Sequence, residues 1–200
     1  MTLHNLIVER MILLSGRIKR QGNTLRLNHK GRNLSFIRTE WAAYPLNEVF
    51  VKEEYASLGV NGRNVVDIGA SIADSPIYFA LEGAKHVYGY EPDAVRYNMA
   101  LENIKANGLE DRITMYNTPY DGRHSENAVI KIDCEGCEYA LVREFDMGKF
   151  DEAIMEYHKG RSELESMFSD AGFSVRVSEL SRERGILYAR RKAAALGAQR

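Results

Sequence analysis

From residue 64 onward, the sequence alternates short apolar runs, rich in β-branched residues, with amphipathic stretches of helical length. This alternation predicts strands joined by helical crossovers, which produce a parallel sheet covered on both faces. The seven predicted strands cover residues 64–70, 86–91, 112–117, 128–133, 152–157, 173–180 and 185–190. No helical stretch separates the last two strands, so they are predicted to pair as an antiparallel hairpin. The sequence therefore predicts an α/β fold with a doubly wound, mostly parallel seven-stranded sheet and a C-terminal antiparallel hairpin.

The first 58 residues follow a different pattern. A short amphipathic helix is predicted at Leu3–Leu14, and turn residues divide 17–38 into short strands. The connection over 41–58 is predicted to be largely helical. We therefore expect a small N-terminal β/α extension beside the α/β domain. The predicted units are the N-terminal extension (1–58), the α/β domain (59–192) and a basic tail (193–200).

The composition is typical of a globular domain with a sizeable core, at 44% hydrophobic and 28% charged among 200 residues. No apolar run reaches the ~18–20 residues that cross a bilayer, so no membrane partner is expected. Glu9 and Arg10 interrupt the apolar N-terminus, which is not typical of a signal peptide, and a cytoplasmic location is predicted. The two cysteines are too few for a disulfide framework.

Charge is unevenly distributed along the chain, although the net charge is only −1. Residues 1–32 contain seven basic side chains and one acid, Glu9, so the rest of the chain must carry a net −7. We interpret the basic segment as a solvated surface. The alternative is an anionic partner, such as RNA or an acidic substrate.

The first predicted strand of the α/β domain runs into a tight turn that indicates a nucleoside site. Gly69 lets a ligand approach the backbone, and the helix that follows directs its free amides and its positive dipole end towards that ligand. Glu91 ends the second strand, where its carboxylate can accept hydrogen bonds from the two hydroxyls of an adenosine ribose.

A single glycine in this turn favours S-adenosylmethionine over a dinucleotide. A pyrophosphate needs the Gly-x-Gly-x-x-Gly turn, whereas S-adenosylmethionine has no phosphate, and its ammonium group suits an acid such as Asp67. NAD and a structural turn without any ligand are the alternatives. The predicted cofactor residues are Asp67, Gly69, Ala70, Ser71, Ile72, Glu91, Pro92 and Asn117.

Acidic residues and one histidine follow the fourth and fifth predicted strands. Asp133 and Glu135 end one, Glu156 and His158 end the next, and both positions belong to the edge of the sheet where ligands bind. Crowded carboxyls can acquire a pKa suited to a general base, and His158 titrates near neutrality. These four residues are the predicted catalytic set. Glu138, nearby, is interpreted as a residue that favours the start of a helix through its dipole.

The string Cys134-Glu-Gly-Cys137 also matches the C-x-x-C pattern. A redox pair or half of a zinc site is the corresponding function, but no second pair is present in the sequence. No metal site is predicted.

Three strings of the sequence resemble the FkbM family of methyltransferases. They are Asp67-Ile-Gly-Ala-Ser-Ile-Ala-Asp-Ser-Pro-Ile-Tyr-Phe-Ala80, Tyr90-Glu-Pro92 and Lys131-Ile-Asp-Cys-Glu-Gly-Cys-Glu138, and the likeness covers about residues 47–175. The resemblance implies a class I (Rossmann-like) methyltransferase fold, S-adenosylmethionine as cofactor, and O-methylation of a hydroxyl on a sugar or other small molecule. Where the family commonly has Asn and Gly, this chain has Ser71 and Ala73. Ala73 is expected to be tolerated because its position is predicted to be helical.

The resulting hypothesis is a methyltransferase in which a small-molecule hydroxyl attacks the methyl group in line. His158 or Asp133 would assist deprotonation, and Glu135 or Glu156 would orient the acceptor. The alternatives are an RNA methyltransferase that uses the basic N-terminal segment, a non-catalytic binding protein that keeps the fold, and a nicotinamide-dependent oxidoreductase. The oligomeric state cannot be read from the sequence.

Overall fold

The structure of the protein is a computed structural model that describes residues 3–192, with side chains from residue 7 onward. The predicted basic tail over 193–200 lies outside the described residues. No described helix combines the length and the apolar character that a bilayer crossing requires.

Between residues 3 and 192 the chain forms six α-helices and ten strands. The helices are α1 (Leu3–Leu14), α2 (Ala43–Phe50), α3 (Asp74–Leu81), α4 (Ala94–Ala106), α5 (Glu138–Glu144) and α6 (Arg161–Asp170). The strands are β1 (Ile18–Gln21), β2 (Thr24–His29), β3 (Arg32–Ile37), β4 (Asn64–Ile68), β5 (His86–Tyr90), β6 (Ile113–Tyr116), β7 (Ala128–Ile132), β8 (Glu152–Tyr157), β9 (Phe173–Glu179) and β10 (Gly185–Arg191).

Seven strands form the main sheet, in the order β6-β5-β4-β7-β8-β10-β9. All neighbours are parallel except β10, which is antiparallel to both β8 and β9. This confirms the predicted doubly wound sheet and its C-terminal hairpin. The connections turn in opposite directions from β4 and β7, so the crevice at the carboxyl ends of these two strands is where a ligand is expected to bind.

Helices cover both faces of the main sheet, and two separate apolar cores result. Val65 of β4 points into the core that contains α3 and the extension, whereas the next residue, Val66, points into the core that contains α6. Strand side chains alternate between faces, so each central strand is apolar on both sides. Every residue of β7 and β8 is buried.

The N-terminal extension forms a three-stranded antiparallel sheet that packs against α4. The edge strand β3 is held by two asparagines of that helical segment. Asn107 accepts a hydrogen bond from the Ser35 amide (3.0 Å) and donates one to the Ser35 carbonyl (2.8 Å). Asn103 accepts from the Ile37 amide (2.8 Å) and donates to the carbonyl of Ile72 (2.9 Å). The extension is therefore tied to the turn that follows β4.

Two local predictions need correction. The connection over 41–58 is helical only in α2, because the Asn47 carbonyl accepts from the amides of both Val51 (3.1 Å) and Lys52 (2.9 Å) and Glu53 then takes a left-handed conformation (φ 54°). Ala73 is not helical but precedes α3 with φ 65°. A left-handed residue with a Cβ costs about 1–2 kcal/mol. This cost gives a physical reason for glycine at the matching position of the family that the sequence resembles.

The asparagine contacts generate a prediction for stability. Asn103→Ala leaves the Ile37 amide and the Ile72 carbonyl without their side-chain partner, so we expect the free energy of unfolding to fall by about 2–3 kcal/mol. Urea denaturation measures this change. Asn98→Ala, at an exposed position of the same helix, is the control, for which we expect a change within about 0.5 kcal/mol. Equal effects of the two substitutions would contradict the structural role of Asn103.

Candidate active site

A cavity of about 950 Å³ opens at the carboxyl ends of the central strands, where the topology predicts a ligand site. Residues of both units of the chain line it. The extension contributes Glu9, Trp41, Tyr44 and Glu48, among others. Of the twelve predicted site residues, eight line the cavity: Gly69, Ser71, Glu91, Pro92, Asp133, Glu135, Glu156 and His158.

The turn after β4 is fixed by hydrogen bonds to the end of β5. The amides of Gly69 and Ala70 both donate to the Tyr90 carbonyl (3.0 and 3.1 Å), and the Ser71 amide donates to Glu91 Oε2 (2.9 Å). Gly69 has φ 74°, and a Cβ there would lie 1.7 Å from the carbonyl oxygen of Asp133. Only glycine fits this position. Because these three amides already donate hydrogen bonds within the protein, fewer free amides face a ligand than the sequence predicts.

Glu91 directly follows β5, beside this turn, and the residue is 4% exposed. Its Oε1 accepts from the Asp93 amide (2.8 Å), as Oε2 does from Ser71. Each carboxylate oxygen can accept a second hydrogen bond, so both remain able to bind a ligand hydroxyl. Asn117 donates to the carbonyls of Glu91 (3.0 Å) and Pro92 (3.1 Å). The structure therefore places Asn117 as a brace of this loop rather than in the cavity wall.

Beneath the cavity, Lys131 of β7 is buried with three partners. Its Nζ lies 3.1 Å from Asp67 Oδ1, 2.9 Å from the Gly69 carbonyl and 3.9 Å from Asp133 Oδ2. Burial alone lowers the pKa of Lys131, but these carboxylates outweigh it and raise the pKa above its ordinary value. Asp67 is fully buried in this ion pair and does not line the cavity. Ala70 and Ile72 are also fully buried and absent from the wall.

Asp74, the first residue of α3, lines the cavity although the sequence analysis did not select it. It is 5% exposed, and its Oδ1 has no hydrogen-bond partner among the described residues. Burial raises the pKa of this carboxyl to about 7, against the opposing effect of Lys131. The signal in the sequence was an acid at a helix start facing the ligand crevice.

The predicted catalytic residues come together around the imidazole of His158. Its Nδ1 lies 2.9 Å from Glu138 Oε1, and its Nε2 lies 3.4 Å from Glu135 Oε2 and 3.7 Å from Glu156 Oε1. Burial lowers the pKa of His158, but the hydrogen bond with Glu138 and the charges of Glu135 and Glu156 outweigh it and raise the pKa. Glu138 does begin α5, as interpreted, and in addition orients this imidazole.

Contacts between distant segments complete the site, and sequence analysis missed them. Tyr55 of the extension donates to Asp133 Oδ2 (3.0 Å). Arg184, from the β9–β10 loop, donates to Glu156 and also to the Tyr44 hydroxyl (2.6 Å) and Glu48 (2.7 Å) of α2. Burial raises the pKa of Glu156 to about 7, although Arg184 opposes this. These partners lie 28 to 140 positions apart in the sequence, so no local motif predicts their contacts.

The two cysteines form a bond that the sequence analysis did not predict. The structure joins Cys134 and Cys137 in a disulfide, with their Cα atoms 5.5 Å apart. The turn that follows β7 brings these positions within the usual range for such a bond. Both residues line the cavity between Asp133 and α5.

The charged residues around the cavity are mostly acidic. Nine carboxylates line it, against three arginine or lysine side chains and His158. The acids are Glu9, Glu40, Glu48, Asp74, Glu91, Asp133, Glu135, Glu144 and Glu156, and the permanent cations are Arg96, Lys131 and Arg184. The cavity therefore favours cationic over anionic ligands.

Comparison with known proteins begins with the sequence, which no family model matches. The chain is 29% identical over 146 residues to uncharacterized protein 65 of a Sulfolobus islandicus filamentous virus, covering 72% of this chain and 86% of that protein. It is 31% identical over 90 residues to ribosomal protein L11 methyltransferase of Carboxydothermus hydrogenoformans, covering 45% of this chain and 29% of that protein. The chain thus spans less than a third of the methyltransferase that it matches.

Solved structures show the fold. A Streptococcus pneumoniae protein for which tRNA (m1A22) methylation is proposed, in complex with S-adenosyl-L-methionine, superposes with a TM-score of 0.58 at 22% identity, covering 73% of this chain and 74% of that one. Magnesium protoporphyrin IX methyltransferase of Synechocystis, also with the cofactor bound, gives 0.54 at 18% identity, covering 74% and 78%. The chain has the class I S-adenosylmethionine-dependent methyltransferase fold, as predicted.

The buried ion pair generates a prediction. Lys131→Met leaves the carboxylate of Asp67 buried without its cation, so we expect the free energy of unfolding to fall by about 3–5 kcal/mol. In the double variant with Asp67→Asn the loss should be smaller than the sum of the single losses, because the two groups interact. Urea denaturation measures each step of this cycle. Lys85→Met, at an exposed lysine, is the control, and additive losses would contradict the pairing.

Proposed function

We propose that this protein is an S-adenosylmethionine-dependent methyltransferase that methylates a hydroxyl of a sugar or another small molecule. The observation that carries the proposal is the acidic cavity at the switch point of the sheet. It combines the carboxylate of Glu91 at the end of β5, which suits a ribose, with four residues at the ends of β7 and β8. These four, Asp133, Glu135, Glu156 and His158, are called the acid–histidine group. The resemblance to the FkbM family supports the same reaction, and membership of that family is part of the proposal.

The cofactor would lie between the Gly69 turn and Glu91, as the topology favours. The two oxygens of Glu91 would accept the ribose hydroxyls. Asp74 would hold the ammonium group of the methionine part, because its buried Oδ1 has no other partner among the described residues and borders the cavity. Asp67 would act from below, by fixing Lys131 and the turn.

The acceptor would lie between the acid–histidine group and the extension. Tyr44, Glu48 and Trp41 line that side of the cavity, so the extension would contact the acceptor. His158 or Asp133 would take the hydroxyl proton, while Glu135 or Glu156 would orient the acceptor. The methyl group would pass from the sulfonium to the hydroxyl oxygen by in-line displacement, with S-adenosylhomocysteine as the leaving group. Most of the rate gain would come from positioning and from the exclusion of water.

A methyltransferase acting on RNA is the weaker alternative. Of the basic residues at the N-terminus, Lys30 pairs with Glu82 (2.5 Å) and Arg32 donates to the Asn107 carbonyl (2.5 Å). Lys19 and Arg26 are exposed and paired in register on the small sheet. These remaining charges fit the interpretation as a solvated surface, while the acidic cavity would repel a phosphate backbone.

The first test concerns the cofactor and Glu91. Isothermal titration calorimetry should detect binding of S-adenosylmethionine and none of NAD. Because Glu91→Gln removes the charge that binds the ribose, we expect it to weaken cofactor binding about 10–100-fold. Glu102→Gln, an exposed carboxylate of α4, is the control. Formation of S-adenosylhomocysteine with pools of sugars, other hydroxyl compounds and RNA would then identify the acceptor class.

NAD binding without S-adenosylmethionine binding would overturn the proposal. Cofactor binding without transfer to any acceptor would instead favour the non-catalytic binding protein.

A second test concerns Asp74 and pH. With a pKa of about 7, this carboxyl is mostly protonated at about pH 6 and mostly ionised at about pH 8, and only the ionised form pairs with an ammonium group. We therefore expect cofactor affinity to rise up to about tenfold over this interval in the wild type. Asp74→Asn should remove this rise. Asp111→Asn, at an exposed position, should keep it, and a rise of the same size in Asp74→Asn would contradict the assignment.

A further inference from the structure

We infer that Asp133, Glu135 and His158 form a binding site for a divalent metal ion, which would hold the oxygen of the acceptor. The inference deepens the proposed function and rests on it for the role of the ion. No metal site was predicted from the sequence, and the three residues come from the ends of two neighbouring strands, β7 and β8.

The distances suit a metal centre. One ligand atom from each residue lies within 4.8 Å of the other two. Bonds of ~2.0–2.2 Å to one ion place neighbouring ligand atoms roughly 3 Å apart, so binding would draw the three side chains together by an ångström or two. Glu135 can make this movement because its side chain is 79% exposed.

His158 is held in the orientation that metal-binding histidines require. Glu138, whose side chain is 3% exposed, lies 2.9 Å from Nδ1 and fixes the ring. When this carboxylate accepts a hydrogen bond from the protonated Nδ1, the lone pair of Nε2 faces Glu135 and the cavity. A carboxylate behind the imidazole is the usual outer partner of a metal-bound histidine, and it also raises the basicity of the ligand nitrogen.

The charge balance of the cavity is an independent argument for a cation. Lys131 is engaged by Asp67, and Arg184 by Glu48 and Glu156, so neither is available to Glu135. Asp74 adds a further carboxyl group to the wall, and the proposed function pairs it with the ammonium group of the cofactor. The carboxylates thus exceed the cations even if S-adenosylmethionine adds its single net positive charge.

The donor set indicates which ions fit. One imidazole nitrogen with two carboxylate oxygens suits Mn²⁺ and other divalent ions of the first transition row. Mg²⁺ and Ca²⁺ prefer sites made of oxygen ligands alone. Three protein ligands leave coordination positions open towards the cavity. A hydroxyl oxygen bound there would have a lower pKa and would be fixed in position for attack on the methyl group. Because both nitrogens of His158 would then be engaged, Asp133 rather than His158 would take the hydroxyl proton, on the carboxylate oxygen that does not bind the ion.

The test is a titration of the full chain with Mn²⁺, in which electron paramagnetic resonance measures the free aqueous ion. We expect one bound ion per chain in the wild type. Glu135→Gln and His158→Gln should weaken binding at least tenfold, and Glu138→Gln about 10–100-fold through the loss of the outer partner. Glu144→Gln, an exposed carboxylate that lines the same cavity outside the cluster, is the matched control and should bind as the wild type does.

Calorimetry with S-adenosylmethionine alone, on the same proteins, separates this inference from the proposed function and shows that the variants are folded. Absence of Mn²⁺ binding up to about 1 mM would overturn the metal site, as would unchanged binding in both Glu135→Gln and His158→Gln. Either result with cofactor binding intact leaves the methyltransferase proposal standing. The wild type could instead bind Mn²⁺ but no S-adenosylmethionine, with Mn²⁺ binding lost in these variants. That result would support the metal site and contradict the proposed function.

Discussion

The buried ion pair between Lys131 and Asp67 is the interaction on which the rest of the site depends. It joins β7 to β4 at their carboxyl ends, and the same ammonium group donates a hydrogen bond to the carbonyl of Gly69. The turn around Gly69 therefore cannot move without exposing charge. Because Asp133 follows β7 directly and lies near the same cation, the position of the acid–histidine group also depends on this pair.

The parts of the fold that the sequence predicts are those determined by short-range patterns. Strand and helix periodicity places every strand of the main sheet to within about two residues. Topology then brings Glu91, Asp133 and His158 to one edge, because the carboxyl ends of parallel strands meet there. The rule that ligands bind at the carboxyl ends of parallel strands thus predicts eight of the residues that line the cavity, without any knowledge of side-chain contacts.

What the sequence does not predict depends on contacts between distant segments or on local backbone geometry. Arg184 connects the last hairpin to α2 and to Glu156, and Tyr55 reaches Asp133 from the extension. Neither belongs to a motif, because each contact joins segments that lie far apart in the sequence. Ala73 was misjudged for a different reason. Composition near a helix start does not reveal that the preceding residue must take a positive φ.

The acidity of the cavity favours one kind of adenosine ligand on physical grounds. A dinucleotide brings a pyrophosphate with two negative charges, which the excess of acidic over basic side chains in the wall would repel. S-adenosylmethionine brings a sulfonium and an ammonium group against one carboxylate, so its net charge is attracted to the same wall. In the proposed reaction, methyl transfer would remove the sulfonium charge, and the acids would hold the product S-adenosylhomocysteine less strongly. An acidic cavity of this kind therefore favours both the binding of the cofactor and the release of its product.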